Sequence, residues 1–119
     1  MTLASGAGRI VIGLGLALAP RLALSGLGFK DHSAATVAVA RIAGGRDIAL
    51  GVTTLLAVDD AVRLRTAHVT NAAVDAGDAV AFAAVLAGGD EGVRDAGLRG
   101  LAAGAAAAAA GAWVAWRVG

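Results

Sequence analysis

The sequence predicts an all-α protein, a four-transmembrane-helix antiparallel bundle forming a single domain over residues 1–119. Three observations lead there. Hydrophobic residues make up 58% of the chain and charged ones only 16%, against roughly a quarter charged in soluble domains. A chain of 119 residues has much surface for its volume, so in water it would display Ala, Leu and Val over most of its outside. Finally, four apolar stretches, each near or above the roughly 20 residues that span a hydrocarbon core, alternate with short charged segments.

The first helix is expected over about residues 2–19. It ends at Pro20, whose ring and missing N–H stop a helical hydrogen-bond ladder. Gly6, Gly13 and Gly15 would weaken this helix in water, but in lipid small residues admit a close neighbour. Arg9, the apolar run from Ile10 and Ala17-Leu18-Ala19 imitate a secretory signal. A proline immediately after the cut argues against cleavage, and the stretch is read as a retained membrane helix.

Residues Arg21 to His32 form a connection, long for a helical hairpin and expected to lie along the membrane surface. Ser33 is the predicted N-cap of a second helix over about residues 33–58. Asp59, Asp60, Arg63 and Arg65 place the following turn in water. The third helix covers about residues 62–87 and stops at Gly88-Gly89. Along it His68, Asn71, Asp75, Asp78 and Phe82 recur at intervals of three and four, a spacing that puts them on one face.

The fourth helix is expected over about residues 96–117. Its Gly97, Gly104 and Gly111 recur every seventh residue, and Gly100 and Gly104 form a small-xxx-small pair. That face is suited to close helix contact, and through it a homo-oligomer or a partner membrane protein would dock. Trp113 and Trp116 beside Arg117 read as an interfacial anchor. Lys/Arg counts leave sidedness open: Arg21, Lys30, Arg94 and Arg99 lie on one side, and Arg63, Arg65 and Arg117 on the other.

Several function classes fall away. A net charge of +1 without a basic–aromatic cluster gives no nucleic-acid surface. With no cysteine there is no disulfide or thiolate chemistry. His32 and His68 lack ligand spacing, so no metal is expected. Gly13-x-Gly15 follows no strand and lacks a third glycine, and no cofactor is implied. The lipid bilayer is the expected surrounding, and the cell (plasma) membrane the expected location.

What remains is a set of charges inside apolar helices: Arg9, Arg41, Arg46, Asp47, Asp75 and Asp78, with Asn71 alongside. Each Arg or Asp at a helix centre costs roughly 2.5–3.5 kcal/mol, so Arg46, Asp47, Asp75 and Asp78 facing lipid unpaired would cost on the order of 10–14 kcal/mol. They must face one another or a water-filled cavity. Counting depth at about 1.5 Å per residue sets Arg46 level with Asp75, and Arg41 and Arg9 level with Asp78. Three guanidiniums then balance three carboxylates, in the bidentate pairing such groups favour. Around the second helix, Arg41, Gly44, Gly45 and Ile48 share one face, and Asp47, Gly51 and Thr54 another.

Arg9-Ile-Val-Ile-Gly13 with Ala19-Pro20, Arg41-Ile-Ala-Gly-Gly45-Arg46-Asp47-Ile-Ala-Leu-Gly51, and Val74-Asp75-Ala-Gly77-Asp78 resemble the small DoxX-like integral membrane proteins of unknown function. The resemblance covers nearly the whole chain. It implies four membrane helices and no particular chemistry, and no catalytic residue is carried over from it.

Three readings of the Arg/Asp cluster follow. The first is a structural or accessory membrane component, in which buried ion pairs fix how the helices assemble. The second is binding or transport of a small or amphipathic ligand at the cluster, because intramembrane ionisable groups mark functional sites. The third is an intramembrane acid/base enzyme in which Asp75 and Asp78 share a proton and activate water.

Overall fold

The computed structural model describes residues 1–119 and consists of helices and turns. In chain order the helices are α1 (Thr2–Leu18), α2 (Pro20–Gly26), α3 (Ala34–Leu56), α4 (Ala61–Ala87) and α5 (Arg94–Val118), the last preceded by a 3-10 turn over Glu91–Val93. The chain is therefore all-α, and the four long helices fall within two residues of the expected limits at each end.

Local chemistry sets each boundary. Ala19 leaves the helical region at φ −129° and ψ 57°. Pro20 then opens α2, where its fixed φ and absent N–H are compatible with a first helical turn. The chain bends by 117° from α1 into α2. The expected connection over Arg21–His32 is thus helical in its first part, because a proline that ends one helix is also suited to start another. Gly28 turns the chain at φ +91°, a conformation side chains disfavour.

Ser33 caps α3, its Oγ accepting from the Thr36 N–H at 3.3 Å. Asp31 reinforces this start, accepting from the Ser33 N–H at 2.9 Å and the Thr36 hydroxyl at 2.8 Å. Asp60 caps α4 by accepting from the N–H groups of Val62 and Arg63, both at 3.0 Å. Gly89, at φ +72°, permits the reversal into α5.

Packing divides the long helices into two tight antiparallel pairs. In the first, α1 lies against α3 through facing glycines: a Cβ on Gly13 would sit 2.6 Å from the Gly44 carbonyl oxygen, and one on Gly51 would sit 2.6 Å from that of Gly6. In the second, α5 lies against α4. A Cβ on Gly104 would fall 2.9 Å from the Asp75 carbonyl oxygen, while Gly97 meets Leu86 and Gly111 meets Ala72. The seven-residue glycine column of α5 is thus engaged within the chain.

Between the pairs the contact is sparse and polar. The outer surface is the reverse. Only 19 of 119 residues are buried, and Val11, Leu18, Val39, Ile42, Leu56 and Val80 each expose more than half their surface. A coat of large aliphatic side chains over a nearly coreless chain suits hydrocarbon and not water. Two stretches, Ala61–Ala87 and Glu91–Val118, are long and apolar enough to cross a membrane. The count reaches three if the bent pair Thr2–Leu18 and Pro20–Gly26 forms one span. Fewer helices qualify than the four expected: α1 has 17 residues, and α3 carries Arg41, Arg46 and Asp47 within 23.

Two outcomes test this account. Gly44→Ala should destabilise the protein by about 1–3 kcal/mol through overpacking, whereas Gly45→Ala, with nothing within 4 Å of the added Cβ, should be neutral or stabilising by up to about 1 kcal/mol. Unfolding of both variants in denaturant–micelle titrations reads the difference. At the start of α3, the Thr36 hydroxyl, followed by the Ser33 N–H and hydroxyl, holds the Asp31 carboxyl below its ordinary range. Its contribution should be present above the unfolded carboxylate pKa of about 4 and vanish as pH falls through the lowered value. Protection factors of the amides in the first turn of α3, which correct for the intrinsic pH dependence of exchange, should therefore fall on acidification, and Asp31→Asn should remove that fall.

Candidate functional site

The three-and-four spacing along α4 puts His68, Asn71, Asp75, Asp78 and Phe82 along one wall of a cavity of about 810 Å³. The adjoining side of α4, through Ala72, Ala79 and Leu86, packs on the glycine column of α5. Because small residues fix that contact, the polar row turns toward the α1/α3 pair, which supplies Arg9, Arg46 and Asp47 to the same cavity.

There the charges form one continuous network across three helices. Arg9 donates from Nη1 to Asp47 Oδ1 at 3.2 Å and from Nη2 to Asp75 Oδ2. Arg46 grips the Asp78 carboxylate with two donors, at 2.9 and 2.8 Å, and its Nη2 also donates to Asp47 Oδ1 at 3.3 Å. Asp47 thus joins the two guanidiniums through one oxygen. The Arg9 end is deep, with the side chains of Arg9, Asp47 and Asp75 at 13%, 12% and 10% exposure; the Arg46–Asp78 end, at 37% and 36%, opens outward.

Toward the α3–α4 turn, uncharged groups continue the line. The Thr54 hydroxyl donates to the Leu50 carbonyl at 2.8 Å, so its oxygen is left to accept from Asn71 Nδ2 at 2.9 Å. That fixes the amide: Asn71 Oδ1 is buried with no partner, as is Nε of Arg46. His68 Nε2 lies 3.3 Å from the Thr2 hydroxyl.

Of the residues singled out in the sequence, Arg9, Arg46, Asp47, Asn71, Asp75 and Asp78 line the cavity together. Arg41 does not join them. Six residues before Asp47, it lies about 120° away around α3 at 100° per residue, and it is exposed beside Arg21 in a shallow cleft of about 610 Å³ at the α1–α2 elbow. The balance of three against three therefore becomes two guanidiniums against three carboxylates.

The partners are also exchanged relative to the depth count: Asp75 belongs to Arg9, and Asp78 to Arg46. Asp75 and Asp78 differ in depth by only about 4.5 Å, less than the reach of an arginine, so register decides. Thr2–His68 and Arg9–Asp75 share an offset of 66 residues, which places α1 parallel to α4. The carboxylates proposed to share a proton are thereby held by different guanidiniums.

Thr2 and Thr54 extend the polar line by bonding His68 and Asn71, and the charge pattern misses them. Thr54 follows Asp47 by seven residues on the same face, and that spacing was the available signal; Thr2 carries none beyond its register with His68.

Comparison of the chain with protein-family models, curated proteins and solved structures gives no match in any of the three.

The observed pairing predicts its own mutational signature. Arg46→Gln with Asp78→Asn should show a coupling energy of about 0.5–3 kcal/mol in a double-mutant cycle, the range for directly contacting pairs. Arg46→Gln combined with Asp75→Asn should show less. Unfolding free energies of the three single and two double variants measure both terms.

Proposed function

We propose that the protein crosses the bilayer with all four long helices and binds a small amphipathic molecule in the cavity at the Arg/Asp network. The observation that carries this reading is the cavity itself. A space of about 810 Å³ with mostly hydrophobic lining and one concentrated polar patch has the size and character of a small-molecule site. An ion-pair network serving assembly alone does not require such a space beside it.

The spans are supported by dimension and surface. The molecule's long axis is 43 Å, close to the roughly 40–45 Å of a bilayer with its interfacial layers. The charges that keep α3 from qualifying by composition are paired inward at Arg46 and Asp47, and Arg41 sits near the α1–α2 elbow, where a long side chain can snorkel. A cell-membrane location and kinship with the DoxX-like group belong to the same proposal.

One observation favours a second reading, a structural or accessory component. Arg9–Asp75 and Arg46–Asp78 both join the α1/α3 pair to α4, so the network also holds the helices together. Assembly through the fourth long helix remains part of that reading. The glycine column already meets α4, which leaves its outward alanines and Trp116 for a partner.

The cysteine-free sequence allows a clean test of topology. Single cysteines in place of Lys30, Asp59 and Asp90 should label with Lys30 and Asp90 on one side and Asp59 on the other; Lys30 and Asp59 on the same side would exclude α3 as a span. For binding, decyl-chain probes with ammonium, carboxylate and hydroxyl heads are titrated into protein in phosphatidylcholine nanodiscs. At least one should saturate and raise the unfolding midpoint, since a ligand of the folded state stabilises it. Ala103→Phe, which fills the cavity, should remove the effect; no saturable binding by any head would sink the reading.

A further inference from the structure

We infer that the cavity selects an amphiphile with a protonated amine head, seated against Asn71, Asp75 and Asp47, and an apolar body along the small-residue wall of α5. This rests on the proposal that the cavity binds an amphipathic molecule, and it names the head group.

Charge is the first ground. With Arg41 outside, the network holds Arg9 and Arg46 against Asp47, Asp75 and Asp78. Both guanidiniums are occupied by carboxylates, and one negative charge is left over. An anionic head would have to displace a carboxylate from an arginine and would add to the excess. A monocation brings the site to neutrality, which matters most where the dielectric is low.

Hydrogen bonding points the same way independently. Asn71 is 3% exposed and its Oδ1 has no partner. The amide cannot be turned to hide that oxygen, because Thr54 spends its only proton on the Leu50 carbonyl and can only accept from the amide nitrogen. A buried acceptor left unmatched costs free energy that a ligand N–H would recover. Asp75 Oδ2 and Asp47 Oδ1 face the arginines, leaving the second oxygen of each without a protein donor. The polar patch therefore offers three acceptors, Asn71 Oδ1 and the second oxygens of Asp75 and Asp47.

The remaining walls suit an apolar body. Gly100, Ala103, Gly104 and Ala107 of α5 give a smooth surface, and Phe29 and Phe82, with ring centroids 6.3 Å apart, form part of the lining. None of these supplies a second charged anchor, so the ligand is polar at one end only.

The test uses full-length protein in phosphatidylcholine nanodiscs, with empty nanodiscs as the blank for partitioning. Equilibrium binding is measured for decylammonium, decyltrimethylammonium, decanoate and decanol. Decylammonium should bind at least tenfold more tightly than decanoate and decanol. It should also exceed decyltrimethylammonium, which carries the charge but no N–H for Asn71, by threefold or more. Asp75→Asn, which brings the network to charge parity, should weaken decylammonium about tenfold with little effect on decanol. The inference is overturned if decanoate or decanol binds as tightly as decylammonium, or if the two ammonium heads bind equally; either result leaves amphiphile binding standing. Absence of saturable binding by all four heads overturns both together. The head-group ranking is read on the unmodified protein, so it stands even if the Asp75 variant does not fold.

Discussion

A charge held away from water has to find an opposite charge before the chain can settle, and this requirement organises the molecule. Arg9, Arg46, Asp47, Asp75 and Asp78 come from three different helices, and each is satisfied only when the others are in place. Removing one member of such a buried set leaves its partner uncompensated, at a cost of several kcal/mol. The network therefore specifies one arrangement of α1, α3 and α4 more sharply than their aliphatic surfaces can. Lipid tails compete with Leu and Val for any apolar face and so supply little preference among packings.

Two kinds of contact divide the work. Within each tight pair, small residues let backbones approach: Gly13 on Gly44, Gly6 on Gly51, and Gly104 on the Asp75–Ala79 turn of α4. Between the pairs, side-chain polar bonds prevail: Thr2 to His68, Arg9 to Asp75, Arg46 to Asp78, Asn71 to Thr54, and Arg99 to the Gly26 carbonyl at 3.1 Å. Arginine side chains are long. A joint built from them holds the pairs apart where glycine would have drawn them together. The cavity is a direct consequence: it lies where the spacing is set by guanidinium reach and not by backbone contact.

This division explains which features were legible in the sequence. Helix limits were, because Pro20, Ser33, Asp60 and Gly88-Gly89 act on their immediate neighbours and need no tertiary context. The polar row of α4 was legible for the same reason, as its spacing alone puts His68, Asn71, Asp75, Asp78 and Phe82 on one face. Partner choice was not. Depth along an axis separates Asp75 from Asp78 by less than an arginine spans, so the assignment turned on the relative register of α1 and α4. The exclusion of Arg41 follows from its angle of about 120° to Asp47 around α3, since only the Asp47 side meets the α4 row. Pro20 shows a third limit: the residue that ends α1 also starts α2, and its effect on the next segment is not visible from the one it terminates.

The position of α3 follows from these constraints taken together. It is the least lipid-compatible of the long helices by composition, with Arg41, Arg46 and Asp47 in its first fourteen residues. Yet each of its sides has a use. Gly44 and Gly51 lie on α1; Arg46, Asp47 and Thr54 turn to the α4 row; Arg41 reaches the cleft at the elbow. Alone in a bilayer such a helix would hold only the neighbouring pair Arg46–Asp47, with Asp47 lacking its bond to Arg9 until α1 is present and Arg46 lacking Asp78 until α4 arrives. Its placement must therefore be cooperative with both. On the four-span reading proposed above, a hydropathy scan, which scores each helix against lipid in isolation, passes over α3 because its physical reference state is a lone helix, which this segment would not have to occupy.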